Sequence, residues 1–141
     1  MPHHLPYALY PAGIFSVLLG LLHFWFPRWF DFRGAISERG EPLKPFPLIV
    51  GQYPTTRRDI YGLVWVMNHA ASFAILTVGL LDLTWTLWLP SSYGPYVAVW
   101  IALFWFLRAI TQLKMGRRKG DWWILAGFAG LGLIHLLALI P

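Results

Sequence analysis

A chain of 141 residues is long enough for one ordinary soluble domain, but 57% hydrophobic, 18% aromatic and only 12% charged residues, with a mean hydropathy of +0.56, leave too little polar side chain to cover a soluble surface. The absence of cysteine excludes disulfides, thiolate metal sites, CxxC redox chemistry and cysteine nucleophiles. The formal charge of +5 does not mark a nucleic-acid binder, because the basic residues fall in loops between apolar stretches, as they do in membrane proteins.

The N-terminal hexapeptide carries His3 and His4 but no Lys or Arg, so it lacks the basic start of a signal peptide and the first helix is expected to be retained. That helix is predicted from Tyr7 to Pro27, about 20 residues and about 30 Å, the thickness of a hydrocarbon core. On it Gly13, Ser16, Gly20, His23 and Pro27 recur at spacings of three and four, a stripe predicted to face a neighbouring helix. Pro27 lacks a backbone donor and Arg28 opens a charged segment, so the helix is predicted to stop there.

Residues 28–58 form the long polar segment, in which Pro42, Pro45, Pro47 and Pro54 forbid a continuous helix. Its apolar middle, Phe46 to Val50, is too short to span a membrane and is expected to dip into the interface or cover one end of the bundle. Thr55, Thr56, Arg57, Arg58 and Asp59 supply caps and a charged boundary for a second span over 59–81, which carries Asn68 and His69 in mid-membrane. The stretch from Asp82 to Pro90, with Trp85 and Trp88, resembles an interfacial aromatic belt. Pro95 opens a third span over 96–115, where Arg108 and Gln112 stand four apart on one face. A tight basic turn from Gly116 to Asp121 leads into a fourth span over 122–140.

The pattern predicts an all-α membrane protein, one domain of four transmembrane helices in an antiparallel bundle. Every Lys and Arg except Arg108 falls on one side of it. By the positive-inside rule the long loop and the basic turn are cytoplasmic, and both termini and the connection from Trp85 to Gly94 are outside. Counted from the cytoplasmic boundary, His23 lies at a depth of about 6 Å, Arg108 at about 9 Å, His69 at about 15 Å and His135 at about 20 Å. Polar groups at such depths are costly in lipid and should turn inward to partners. The predicted ligand site is therefore His23, Asn68, His69, Arg108 and Gln112, open to the cytoplasm, with an anionic ligand or Asp59 balancing Arg108. The plainer alternatives are that Arg108 snorkels to the headgroups, that Asn68 and His69 join helices, and that His135 is a satisfied lone histidine.

Haem b or a chlorin would need paired axial imidazoles with small residues nearby. Gly20 precedes His23 and Gly132 precedes His135 by three positions, but those two histidines differ in depth by about 14 Å, which leaves His69 with His135 or with His23. A hydrolytic zinc site is not expected, since this reading sets no carboxylate beside the histidines inside the membrane. No Ser-His-acid, HExxH or glycine-rich phosphate signature is present.

The pattern Gly20-x-x-His23-Phe24-x-x-Pro27-x-x-Phe30 resembles the first helix of DoxX-like membrane proteins, small four-helix bacterial proteins of which some are associated with quinone-linked oxidoreductases. The resemblance covers about one helix; the second span carries Asn68-His69 where that family has a glycine and glutamate pattern. Phe104-Trp105-x-x-Arg108-x-x-x-Gln112 is similar to a third-helix pattern of small four-span bacterial membrane proteins of unknown function. These likenesses imply a multi-pass protein of the bacterial inner membrane. The expected function is that of a subunit or accessory of a larger membrane complex, in contact with membrane lipids and with other subunits or a second copy, holding a lipid, isoprenoid or quinone headgroup. Alternatives are a haem b or chlorin module using His69 and His135, and a small membrane enzyme with His23 or His69 as base and Arg108 as anion clamp.

Overall fold

The computed structural model describes residues 5–37, 39, 42–48, 51–114 and 119–140. They are helical apart from one short hairpin, and four of the helices are long and apolar enough to cross a membrane: Pro6–His23, Arg57–Leu83, Gly94–Gln112 and Lys119–Leu137. The elements are α1 (Leu9–His23, preceded by a 3-10 turn over Leu5–Ala8), α2 (Phe26–Trp29), α3 (Phe32–Ala35), β1 (Phe46–Leu48), β2 (Gly51–Tyr53), α4 (Arg57–Leu83), α5 (Trp85–Trp88), α6 (Gly94–Gln112) and α7 (Lys119–Leu137). They fall into two compact units, one made of Met1–Val17 with Thr77–Pro141 and the other of Leu18–Leu76.

In the first unit the start of α1 meets the end of α4 through glycine. A Cβ at Gly79 would lie 2.7 Å from the Val17 nitrogen and 2.9 Å from the Gly13 carbonyl oxygen, so the two backbones pack at a distance only hydrogen allows. Leu9, Ala12 and Ser16 on α1 are buried, and the Ser16 hydroxyl donates to the Ala12 carbonyl of its own helix at 2.7 Å. Helices α6 and α7 pack along a stripe of small and flat residues. Ala98, Ile101, Ala102, Trp105 and Ala109 are buried on α6, and Phe128, Leu131, Gly132 and His135 on α7. Trp105, wholly buried, stacks on Phe128 with ring centroids 5.5 Å apart.

The second unit holds the end of α1, the long connection and most of α4. A Cβ at Gly20 would lie 2.8 Å from the Leu76 nitrogen, so close backbone approach continues here. All five members of the small-residue stripe, Gly13, Ser16, Gly20, His23 and Pro27, are buried, as the packing interpretation of that stripe requires.

The first span ends at His23, short of Pro27. The helix tightens as Phe24 and Trp25 bond the carbonyls of Leu21 and Leu22, three residues back, and Pro27 then sits in the first turn of α2, where its missing donor is no loss. Asp31 turns the chain in the left-handed region at φ 42°, and its Oδ1 accepts from the Gly34 nitrogen to start α3. The long loop contains a hairpin that composition alone did not predict, with Phe46 opposite Tyr53, Pro47 opposite Gln52 and Leu48 opposite Gly51. Pro47 is tolerated because a two-stranded ladder has only edge strands. Ile49 and Val50, the rest of the apolar middle, lie outside the described residues, as do residues 115–118 of the basic turn.

Helix α4 starts at Arg57 rather than 59, because Thr56 and Asp59 close a capping box: Asp59 Oδ2 accepts from the Thr56 nitrogen at 2.8 Å and Thr56 Oγ1 from the Asp59 nitrogen at 3.3 Å. It also runs two residues past Leu81, which carries Asp82 inside the helix.

Candidate functional site

Three histidines of the candidate spans share one local geometry. Nδ1 of His23, His69 and His135 lies 3.0, 2.9 and 2.7 Å from the carbonyls of Leu19, Trp65 and Leu131, each four residues back on the same helix. A carbonyl only accepts, so each Nδ1 carries a proton, and a neutral ring then presents its lone pair at Nε2. What meets Nε2 decides what each histidine can do.

In the first unit that partner is a carboxylate. His135 Nε2 stands 2.8 Å from Asp82 Oδ1, and both side chains are wholly buried. With Nδ1–H committed, Nε2 and Oδ1 share one further proton. The pair is neutral overall whether written as imidazolium with carboxylate or as imidazole with carboxylic acid, which keeps net charge out of an apolar environment. Asp82 Oδ2 is buried with no hydrogen-bond partner among the described residues, and a Cβ at Gly13 would come within 2.9 Å of Asp82 Cβ, so the pair is closed in by backbone.

This corrects two sequence expectations. A carboxylate does accompany a histidine inside a candidate span, and Asp82 lies within α4 rather than beyond the end of the second span. Its signal was legible in part: Asp82 and His135 occupy the last turns of α4 and α7, two helices that run in the same direction if the spans alternate. The pairing also bears on haem. An imidazole with both nitrogens hydrogen-bonded offers iron no lone pair, so His135 does not fit an axial ligand and the reading that used it with His69 loses that donor.

Arg108 and Gln112 belong to the same unit. The Arg108 guanidinium carbon lies 5.4 Å from the centroid of the Phe128 ring, a cation–π position on α7, and Gln112 Nε2 donates to Asp121 Oδ1 at 3.4 Å. Asp121, which the sequence placed in a basic turn, is buried in the first turn of α7. Both α6 residues therefore face α7, as their four-residue spacing allows.

The second unit holds His23, Asn68 and His69. Pro27 has no N–H for the carbonyl of His23 four residues earlier, and Asn68 Nδ2 donates to that carbonyl at 2.8 Å. The asparagine thus joins α4 to the broken end of α1, which is the helix-joining role weighed for it above. His69 is half-buried within an aromatic row. Its ring stacks on Trp65 (centroids 5.0 Å apart, planes at 13°), meets the edge of Phe24 at 5.6 Å, and Trp65 in turn meets Tyr61 at 6.3 Å. Tyr61, Trp65 and His69 are spaced by four, so one face of α4 carries a ladder of rings. The spacing was visible in the sequence, but the involvement of Phe24 was not.

No family model matches the chain, and no curated protein or solved structure is detectably similar to it. The functional reading consequently stands on chemistry.

Proposed function

We propose that the chain is a multi-pass protein of the bacterial inner membrane, a non-enzymatic subunit or accessory that holds the headgroup of a lipid, isoprenoid or quinone beside His69. In this reading the spans form an antiparallel bundle. The positive-inside rule sets the long loop and the basic turn in the cytoplasm, so that the ladder descends α4 from the cytoplasmic boundary towards mid-membrane. The observation that carries the proposal is the half-buried His69 ring, flat on Trp65 and edged by Phe24, with its Nδ1 proton committed to the Trp65 carbonyl. That arrangement presents a hydrogen-bond acceptor at Nε2 on an apolar aromatic surface, which suits the polar end of an otherwise apolar molecule.

The test is extraction of the full chain from its native membrane in mild detergent, followed by mass spectrometry of what travels with it. A lipid, prenol or quinone at near one per chain, lost in His69→Ala and Trp65→Ala, is the expected outcome. A stable monomer carrying no lipid, quinone or partner subunit overturns the proposal.

A further inference from the structure

The connection that leaves the first candidate span carries three aromatic rings that stay exposed. Trp25 is 49%, Trp29 61% and Phe30 61% exposed, and the span, Pro6–His23, ends only two residues before the first of them. A loop bathed in water has no reason to present two indoles and a phenyl ring so close together.

The rings beneath them fix their position. Phe26 folds back on the last residue of the span, its centroid 4.2 Å from that of His23, and Trp29 at 6.0 Å and Phe30 at 5.2 Å both pack against Phe26. Trp29 and Phe30 therefore stand two ring contacts from the end of the first span, at the level where hydrocarbon gives way to headgroups if that span crosses a membrane. Local structure keeps them there. Pro27 is buried in the first turn of α2, and the nitrogens of Trp29 and Phe30 donate to the carbonyls of Trp25 and Phe26 at 3.1 and 2.9 Å, so Trp25 and Trp29, four apart, share one exposed side. At Asp31 the chain turns through the left-handed region, and Arg33, Gly34 and Ala35 beyond it are exposed and not aromatic. The aromatic stretch thus begins at a helix end and stops at a polar turn.

An indole has an apolar body and one N–H that seeks water or a headgroup oxygen, which is why tryptophan concentrates at the membrane boundary. A partner protein would have to displace the lipid that surrounds the span at this level, whereas headgroups and upper acyl chains are already there.

We propose that Trp25, Trp29 and Phe30 form an interfacial anchor: the α2 segment lies against the bilayer with these rings at the boundary between headgroups and acyl chains, and the partner of this surface is lipid rather than a second chain. The anchor requires only that the first span crosses the membrane, so it stands or falls apart from any ligand at His69.

The chain has no cysteine, so a single nitroxide can be placed at will. In the full-length protein, reconstituted in vesicles of phosphatidylethanolamine and phosphatidylglycerol, labels on Trp25→Cys and on Trp29→Cys are read by electron paramagnetic resonance. Collision with oxygen, which concentrates in lipid, is compared with collision with a water-soluble nickel chelate, and spin-labelled lipids of known depth calibrate the ratio. Both labels should favour oxygen and lie about 5–10 Å below the phosphates. Labels that meet the chelate as freely as a nitroxide in water overturn the anchor. Labels shielded from both quenchers overturn it too, because protein then covers the rings, and dipolar broadening would identify that protein as a second copy. Hydroxyl-radical footprinting of the unsubstituted chain in lipid nanodiscs covers the case of a variant that does not fold: Trp25 and Trp29 should be protected, and oxidation at the rate of an indole in water rejects the anchor.

Discussion

His135 and His69 each commit Nδ1 to the carbonyl four residues back, at 2.7 and 2.9 Å, and differ only in what lies at the other nitrogen. His135 meets Asp82 in a pair that is wholly buried, whereas His69 is half-buried between Trp65 and Phe24. The sealed pair is neutral, saturated on its histidine and wrapped by backbone, so its chemistry is spent on holding helices together. The open ring keeps an acceptor on an aromatic surface. The same residue at the same local geometry is thus mortar in one unit and, in the function proposed above, a place for a ligand in the other, and the number of histidines in a membrane span says nothing about which.

The largest effect should come from breaking the sealed pair. His135→Ala leaves the Asp82 carboxyl buried without a partner and is expected to cost about 3–5 kcal/mol of stability, read from thermal or denaturant unfolding in detergent. Replacing both residues by Leu should recover most of that loss, because an apolar pair of similar volume needs no compensation. If His135→Ala costs no more than His69→Ala, the contrast between the two histidines is wrong.

Glycine packing comes next. Gly79→Leu pushes a side chain into the Val17 nitrogen and the Gly13 carbonyl, and Gly20→Leu into the backbone of Leu76; each should cost about 1–3 kcal/mol by the same measurement. Gly62→Ala, where a Cβ meets nothing within 4 Å, should leave stability unchanged or raise it slightly. Loss at Gly62 equal to that at Gly79 would mean that the close approach of α1 and α4 is not what those glycines serve.

A smaller effect sharpens the account of the second unit. Asn68→Ala removes the donor to the His23 carbonyl and should cost about 0.5–1 kcal/mol. Pro27→Ala restores a backbone N–H four residues after His23, so α1 can continue and the asparagine becomes redundant. The double variant should therefore show less than the sum of the two single losses, and strict additivity would remove the link between the proline and the amide.

The smallest effect is expected where the ligand is proposed to sit. His69→Ala should change stability by less than about 1 kcal/mol, since the ring is half-buried and its partners are aromatic faces. Its consequence should appear instead in retention of a co-extracted lipid or quinone. A large loss of stability with unchanged retention would make His69 mortar as well.

What the sequence by itself determined is what depends on local composition and period. Four apolar stretches of spanning length announce the four long helices, and spacings of three and four announce the buried stripe from Gly13 to Pro27, because hydropathy and helical phase are properties of neighbouring residues. Thr56 and Asp59 likewise announced the start of α4, since a capping box is closed within one turn. The tertiary structure alone decided the partners. Asp82 looked interfacial because it stands at a helix end, and only the packing of α4 with α7 brings it to a histidine 53 positions away. The predicted site of His23, Asn68, His69, Arg108 and Gln112 was assembled from depth, and depth names no bonding partners: within the second unit Asn68 reaches the His23 carbonyl, and within the first Arg108 lies over the Phe128 ring and Gln112 donates to Asp121.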